Sequence, residues 1–365
     1  MKQIFLDKLL AIELGWNEEE VEKNRDYLSD FAELKYDSYQ QYVPGSQFME
    51  NLLLWLRGFK NEEDKKTMYG FFKDNLVYIS PAEMFQFVST VYLDKIWPHF
   101  LKQAERHNAV VNKGCSISEI AKILQGRSIF LPLSDGARLG NVRRHSQLDN
   151  EQVAATYKLS EKEISEMVEK AKKRIEQFPG YEERKELWEL EDLSQPISYV
   201  FLLDDFSGSG ISYLRHENGS SEQSGKFCRV VEYLEKGGID TSKVEFILLI
   251  YLAGDAAEKY LIGELNKYFK YDVSRFSVSV MQPIPTAGVN DDVERILREQ
   301  YEASTKGFED IHFKKGSTAR PYLGFNGGQY PLVIYHNTPN NSITTFWYSD
   351  KTMSALFPRV TRHKE

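Results

Sequence analysis

The chain has 365 residues, of which 41% are hydrophobic and 13% aromatic, and its formal net charge is −8. This composition supplies cores for one large or two ordinary domains and argues against intrinsic disorder. The negative charge excludes a global basic field that would draw the protein to nucleic acid or to an anionic membrane.

The sequence also lacks the usual signs of metal clusters, disulfides and secretion. Its two cysteines provide no disulfide framework, and its seven histidines show no zinc-binding spacing. The charged N-terminus lacks the apolar stretch of a signal peptide, and no apolar run approaches the ~18 residues of a membrane span. We therefore expect a cytoplasmic protein without a membrane partner.

Residues 1–112 carry repeated helix starts and predict an all-α N-terminal domain. Ser80 and Glu83 form a capping box around a proline at the first helical position. Asn17 and Asn61 each precede a run of acidic residues, which complement the helix dipole. The apolar residues of the helix after Ser80 recur at helical spacing, which indicates a core face. The alternative is a docking face for a partner.

From Ser116 onward the pattern changes to alternating helices and strands. Ser116 and Glu119 form a further capping box. Apolar segments separated by helical patterns predict strands at 128–133, 199–203, 244–252 and 275–280. Strands separated by helices indicate a doubly wound, mostly parallel α/β sheet. The predicted organisation is thus a helical domain at 1–112 followed by an α/β domain at 113–365.

The run Val200–Ser212 is the most specific motif in the sequence. An apolar strand ends in Asp204 and Asp205, and a turn of small residues and a predicted helix start follow. Two carboxylates can accept hydrogen bonds from ribose hydroxyls, and amides at a helix N-terminus favour a phosphate. The spacing fits neither a Walker A loop nor a dinucleotide-binding fingerprint. The predicted phosphate-binding residues are Ser207, Gly208, Ser209, Gly210, Ile211 and Ser212.

This run resembles the loop of type I phosphoribosyltransferases that binds 5-phosphoribosyl 1-pyrophosphate (PRPP). The residues on matching positions are Asp204, Asp205, Phe206, Ser209, Gly210 and Ser212. The resemblance implies that the two aspartates anchor the ribose hydroxyls and that the turn holds the 5-phosphate. The alternative is a buried strand followed by a Ser/Gly turn with solvated carboxylates.

A second candidate loop directly follows the strand predicted at 128–133. Pro132 in that strand indicates an edge position or the strand end. The resemblance places a pyrophosphate-binding loop after an earlier strand of the sheet, and Arg138 offers a guanidinium fork for phosphate oxygens. The residues proposed for it are Ser134, Asp135, Gly136, Ala137 and Arg138. The alternative is an ordinary strand-to-helix loop.

The segment at about 151–192 departs from the transferase pattern. Type I phosphoribosyltransferases have a flexible hairpin there, whereas this sequence has a capping box at Ser160 and Glu163 and then an amphipathic helix. We interpret the segment as a solvated helical insertion, with a helical lid as the alternative. The departure weakens the case for ordinary transfer to a free base.

A polar loop near the C-terminus is a third candidate site. Asn337, Asn340 and Asn341 follow a predicted strand, and Trp347 lies a few residues beyond them. Asparagine and proline clusters mark turns, so a hairpin is the simplest interpretation. The functional alternative is contact with a base or another acceptor, with the tryptophan stacking on it.

Together, the third loop, the later segment Ala355–Arg359, the second loop and the helical N-terminal domain resemble the phosphoribosyltransferase-like effectors of bacterial anti-phage modules, including retron-type operons. This resemblance implies a protein partner for the N-terminal helical domain, one candidate being a reverse transcriptase–nucleic acid complex.

The activity implied is transfer of phosphoribosyl from PRPP to an acceptor that the sequence does not identify. Asp204, Asp205 and Arg138 are the expected catalytic residues. Mg²⁺ is the expected cofactor, bridging ribose and pyrophosphate oxygens without direct protein ligands. Two alternatives remain: a nucleotide sensor without turnover, and an interaction subunit of a defence complex.

Overall fold

A computed structural model describes residues 2–39, 48–111, 116–184, 196–216, 223–303, 320–350 and 353–359. The chain divides into two compact units. Unit 1 contains Met1–Met84 and Ile284–Glu365, and unit 2 contains Phe85–Pro283.

The helices and strands follow in chain order. The α-helices are α1 (Lys2–Leu14), α2 (Glu18–Leu34), α3 (Phe48–Arg57), α4 (Glu62–Asn75), α5 (Pro81–Val91), α6 (Trp97–Val111), α7 (Ile117–Gly126), α8 (Leu139–Arg144), α9 (Glu161–Glu176), α10 (Tyr181–Arg184), α11 (Lys226–Lys236), α12 (Asp255–Tyr268) and α13 (Asp291–Ala303). The strands are β1 (Val77–Ile79), β2 (Ser128–Pro132), β3 (Tyr199–Ser207), β4 (Arg215–His216), β5 (Gln223–Ser224), β6 (Glu245–Gly254), β7 (Phe276–Ile284) and β8 (Leu332–Ile334). None of the helices in the described ranges is long and apolar enough to cross a membrane.

Five of the predicted helix starts are confirmed by side-chain hydrogen bonds. The capping residues are Asn17, Asn61, Ser80, Ser116 and Ser160, and each accepts from an amide three residues further on. In all except the Asn61 cap, an acid at that third position accepts in return from the amide of the capping residue. These local contacts satisfy amides that would otherwise lack partners, which is why the sequence reveals them.

Unit 1 joins the N-terminal helices to the C-terminal segment. β1 pairs in parallel with β8, a pairing that the sequence does not predict because three residues are too few to show alternation. The ring of Phe357 lies among those of Phe31, Tyr36, Tyr39 and Tyr78, with centroids 5.3–6.4 Å away. The C-terminal segment therefore completes the aromatic core of the N-terminal helices.

The observed division differs from the predicted one at residue 112. It falls after residue 84, and residues 284–365 belong with the N-terminal helices instead of with the α/β unit. α6 belongs to unit 2 because it packs on the sheet, where Phe100 lies 5.3 Å from Phe201.

Unit 2 contains a four-stranded sheet in the order β2-β3-β6-β7, with parallel pairing of β2 to β3 and of β3 to β6. On one face, alternate residues such as Val200 and Leu248 join a buried cluster with α9, α11 and α12. On the other, Phe130 and Phe201 stack at 4.7 Å beneath α6. Helices cover both faces, so the predicted doubly wound α/β class is confirmed. β2 is an edge strand that ends at Pro132, as predicted.

α9 packs tightly, in contrast to the solvated insertion predicted for this region. Its residues Ile164, Ala171 and Ile175 are buried. A methyl group on Gly237, beyond the end of α11, would lie 2.4 Å from Cγ2 of Ile164, so the two segments are in direct contact. α9, which lies between β2 and β3 in the sequence, is thus part of the helical layer that covers the sheet of unit 2. The rest of the predicted insertion, from 185 to 192, lies outside the described residues.

Candidate functional site

The two predicted loops meet at the carboxyl ends of β2 and β3. These strands are parallel neighbours, with Pro132 opposite Leu203, so the chain leaves both at the same edge of the sheet. The Ser134 hydroxyl donates to Asp205 Oδ1 at 2.9 Å. The backbone at Gly136 approaches Asp205 so closely that a Cβ there would lie 2.0 Å from Oδ2. The structure therefore brings together a predicted ribose-binding carboxylate and the predicted pyrophosphate loop.

Asp204 lies deeper than Asp205, with only 2% of its surface exposed. Its Oδ2 accepts hydrogen bonds from Tyr213 Oη at 2.7 Å and from Lys226 Nζ at 3.1 Å. Burial, together with the neighbouring charge of Asp205, raises the pKa of Asp204 to about 6, although Lys226 opposes the shift. Neither Tyr213 nor Lys226 is among the residues predicted from the sequence. The signal that points to them is the need of a buried acid for nearby donors.

The predicted phosphate-binding residues form a tight turn after β3. The Gly210 amide donates to Ser207 Oγ at 3.2 Å. Gly210 has φ +77°, and a Cβ there would lie 2.8 Å from the ring of Tyr260, so only glycine fits. Among the described residues no partner exists for the amides of Gly208, Ser209, Ile211 and Ser212. These amides are available to an anion.

The predicted helix start directly after Ser212 is wrong. The short antiparallel pair of β4 and β5 comes first, and α11 begins only at Lys226. The amides of Lys226 and Phe227 donate to the carbonyls of Ser212 and Tyr213, each at 3.0 Å. The first amides of α11 are therefore occupied, and an anion at the turn would rely on the turn's own amides.

Side chains of β3 and β6 hold the loop after β2 in place. Residues Asp135–Ala137 form a 3₁₀ turn, and the buried Tyr251 of β6 donates from its hydroxyl to Ala137 O at 2.6 Å. Burial raises the pKa of Tyr251, so its phenol stays a proton donor. Arg138 has φ +47°, a left-handed conformation that costs on the order of 1–3 kcal/mol and that clusters at functional sites. Tyr251 is a third residue that the sequence does not predict for the site.

The third predicted group, the asparagines, belongs to unit 1. Asn341 Nδ2 donates to Phe325 O at 3.1 Å, and the carbonyl of Asn340 accepts from the Phe325 amide at 2.7 Å. Asn337 Oδ1 is buried, with no partner among the described residues. Trp347 is 4% exposed and donates to a backbone carbonyl, so its ring is a core group rather than an open stacking surface. The structure does not assemble these residues in one unit with the aspartates.

A family model described as PRTase-CE matches residues 52–359, which is most of the chain. The chain belongs to the PRTase-CE family. Membership of this phosphoribosyltransferase-like family agrees with the α/β fold, and the match spans all three predicted loops. No curated protein and no solved structure matches the sequence.

The oxygen atoms at this PRTase-CE site are of the kind that Mg²⁺ prefers. They come from the two aspartates and from the hydroxyl of Ser134. The described part of the chain contains no group of three or more His, Cys, Asp or Glu side chains that would cage a metal ion. Such a site fits magnesium that keeps its waters and is held largely by ligand phosphates.

Proposed function

We propose that this PRTase-CE protein binds PRPP in unit 2 and transfers its phosphoribosyl group to an acceptor. The observation that carries the proposal is the hydrogen bond between Ser134 and Asp205. It joins the loop assigned to pyrophosphate with the strand end assigned to ribose. A single ligand with a sugar between two phosphate groups fits that junction.

In the proposed reaction, residues 208–212 bind the 5-phosphate through their backbone amides. The loop from Ser134 to Arg138 binds the pyrophosphate. The bond between ribose C1 and pyrophosphate breaks as the acceptor forms its own bond to C1 and gives up a proton. Positive charge grows on the ribose ring during this step, and the nearby carboxylates stabilise it electrostatically. The protein supplies position and charge instead of a covalent nucleophile.

Magnesium fits this scheme because the site offers a few oxygen donors beside a phosphate-rich ligand. Bound magnesium would neutralise charge on the departing pyrophosphate. Asp205 and Ser134 are the residues of this chain placed to orient the hydrated ion.

The narrower parts of the proposal concern the acceptor and the partner. We assign the acceptor contacts to Asn337, Asn340 and Asn341, and Asn337 has an unsatisfied buried oxygen that supports a role in polar recognition. We assign a defence role with a protein partner on the N-terminal helices. Co-purification with the products of neighbouring genes tests the partner, and recovery of the protein alone would count against it.

A second candidate function is a ribose-phosphate sensor without turnover. The packing of α9 favours it, because the part of the chain described between β2 and β3 contains a docked helix and no hairpin that could close over the ligand. A pyrophosphate-release assay separates the two functions. Binding of PRPP without release in the presence of candidate acceptors supports the sensor.

Calorimetric titration of PRPP with Mg²⁺ tests the site itself. We expect binding to the wild-type protein and its loss in the folded double variant Asp204→Asn, Asp205→Asn. Equal binding by the folded double variant would contradict the assignment of these carboxylates.

A further inference from the structure

The two adjacent aspartates of the site have very different surroundings. Asp204 is buried, and its carboxylate contacts three donors: Tyr213 Oη and Lys226 Nζ on Oδ2, and the amide of Asp205 on Oδ1 at 3.1 Å. Asp205 is only partly buried and faces the loop that contains Ser134. The two carboxylates therefore do not offer a ligand equal access.

The partners of Asp204 hold both ends of the segment that leaves the phosphate-binding turn. Tyr213 directly follows Ser212, and Lys226 is the first residue of α11. A backbone hydrogen bond also joins the end of the turn to the start of α11, since the Lys226 amide donates to Ser212 O at 3.0 Å. A Cβ on Gly225, which has φ +139°, would lie 2.1 Å from Tyr213 O, so the backbone is in direct contact at the two ends of this segment. Asp204 thus connects β3, the end of the turn and the start of α11.

A sugar hydroxyl would have to displace Tyr213 or Lys226 to contact Oδ2 of Asp204. Removing Lys226 from a carboxylate that is 2% exposed would leave a buried charge without its cation, which costs far more than a sugar hydrogen bond returns. Asp205 is only partly buried, so its carboxylate is in contact with solvent, and it has more than one lone pair with which to accept from a ligand while it accepts from Ser134.

We propose that Asp205 alone accepts hydrogen bonds from the vicinal hydroxyls of the bound sugar. Asp204, with Tyr213 and Lys226, is then a positioning residue that fixes the phosphate-binding turn. This inference rests on the proposed function for the nature of the ligand. The division of roles gives each residue a distinct signature. Changes at Asp205 affect recognition of the sugar, and changes at the Asp204 cluster affect the shape of the turn.

Titration of ribose 5-phosphate and of 2-deoxyribose 5-phosphate, each with Mg²⁺, tests the role of Asp205 in binding the sugar. We expect the wild-type protein to prefer ribose 5-phosphate by about tenfold, the worth of one charged hydrogen bond. Asp205→Asn should remove the preference. Tyr213→Phe should weaken both ligands equally and keep the preference. Loss of the preference in Tyr213→Phe, with its retention in Asp205→Asn, would overturn the proposal.

The positioning half is tested without any ligand by hydrogen exchange of the amides from 207 to 214. We expect faster exchange in Tyr213→Phe and in Lys226→Met, slower exchange again in Lys226→Arg, and no change in Asp205→Asn. Unchanged exchange in both Tyr213→Phe and Lys226→Met would refute the positioning role even if those proteins still bind the sugar phosphates.

The two measurements also separate this inference from the proposed function. Failure of the wild-type protein to bind either sugar phosphate would refute the ribose-phosphate function and the role given to Asp205. The exchange experiment would still decide the role of Asp204, since it needs no ligand.

Discussion

At the scale of single residues, Gly136 controls how closely the two loops of the site approach. A Cβ there would lie 2.0 Å from Asp205 Oδ2, so Gly136→Ala must push the loops apart. We expect PRPP binding to weaken by at least about tenfold, with little change in Tm, because a misplaced carboxylate loses its ligand contact. Calorimetry and thermal unfolding check both points.

Gly140 provides the matched control, since a Cβ there meets nothing within 4 Å. Gly140→Ala should bind PRPP as the wild-type protein does. Normal binding by Gly136→Ala would show that the contact between the loops is not needed for the ligand.

A second residue-scale prediction concerns pH and the partly buried Glu245 at the start of β6. Burial raises the pKa of Glu245 from 4.5 to about 7, with Arg106 opposing the shift. The folded protein therefore holds this proton more tightly than the unfolded chain, and the stability that it contributes is lost as pH rises from 4.5 to 7. His99, 3.5 Å away, stays neutral across this window because burial lowers its pKa to about 4.

Glu245→Gln removes this titration and keeps an acceptor for the Gln103 amide, which donates to Glu245 at 2.9 Å. Relative to this variant, the wild-type protein should lose about 2 kcal/mol of unfolding free energy between pH 4.5 and pH 7.5. Denaturant unfolding at the two pH values measures the difference, and the exposed Glu105→Gln is the control. Parallel pH curves for wild type and Glu245→Gln would contradict the prediction.

The sequence predicts single residues of the site where an apolar strand ends in polar side chains. Asp204, Asp205 and the loop at Ser134 are predicted because strand ends of one parallel sheet meet at one edge. Tyr213, Lys226 and Tyr251 are not predicted. Their hydrogen bonds span 9, 22 and 114 residues, and only the folded chain brings those atoms together.

At the scale of elements, the docking of α9 carries a stability prediction. Ile164 is 1% exposed and contacts Gly237, so Ile164→Ala should lower the free energy of unfolding by about 2–5 kcal/mol. Glu166 on the same helix has a side chain that is 55% exposed, and Glu166→Ala should change stability by less than about 0.5 kcal/mol. Chemical denaturation compares the two. Equal effects would indicate that α9 is a loosely attached insertion.

Helices and strands are predictable where the residues of the element itself carry the sequence pattern. Capping residues identify the starts of α2, α4, α5, α7 and α9, and apolar segments identify the four strands of the main sheet. β1 is missed because it has three residues, and the helix predicted after Ser212 is replaced by β4 and β5. Small residues mark that turn, but they do not specify whether a helix or a hairpin follows.

At the scale of the whole molecule, the composition of unit 1 predicts which fragments fold. Residues 1–112 alone lack Phe357, which completes the aromatic core of the N-terminal helices, and β8, which pairs with β1. We expect fragment 1–112 to show no cooperative unfolding. A chain that joins 1–84 to 284–365 through a short linker, and the fragment 85–283, should each unfold cooperatively.

Circular dichroism during thermal and denaturant unfolding tests the three fragments. A cooperative transition in fragment 1–112 would favour the division at residue 112 that the sequence predicts. That division follows the change in local pattern, and local pattern does not reveal that a distant segment returns to cover the first helices.

The return of residues 284–365 to the N-terminal helices has a consequence for synthesis on the ribosome. The chain emerges from its N-terminus, so α1 to α4 leave the exit tunnel long before the strand and the aromatic residue that complete their core. Unit 2 is contiguous and can fold as soon as residue 283 is clear. During that interval the helices of unit 1 expose aromatic rings, and a segment that is synthesised later covers a segment that was synthesised earlier.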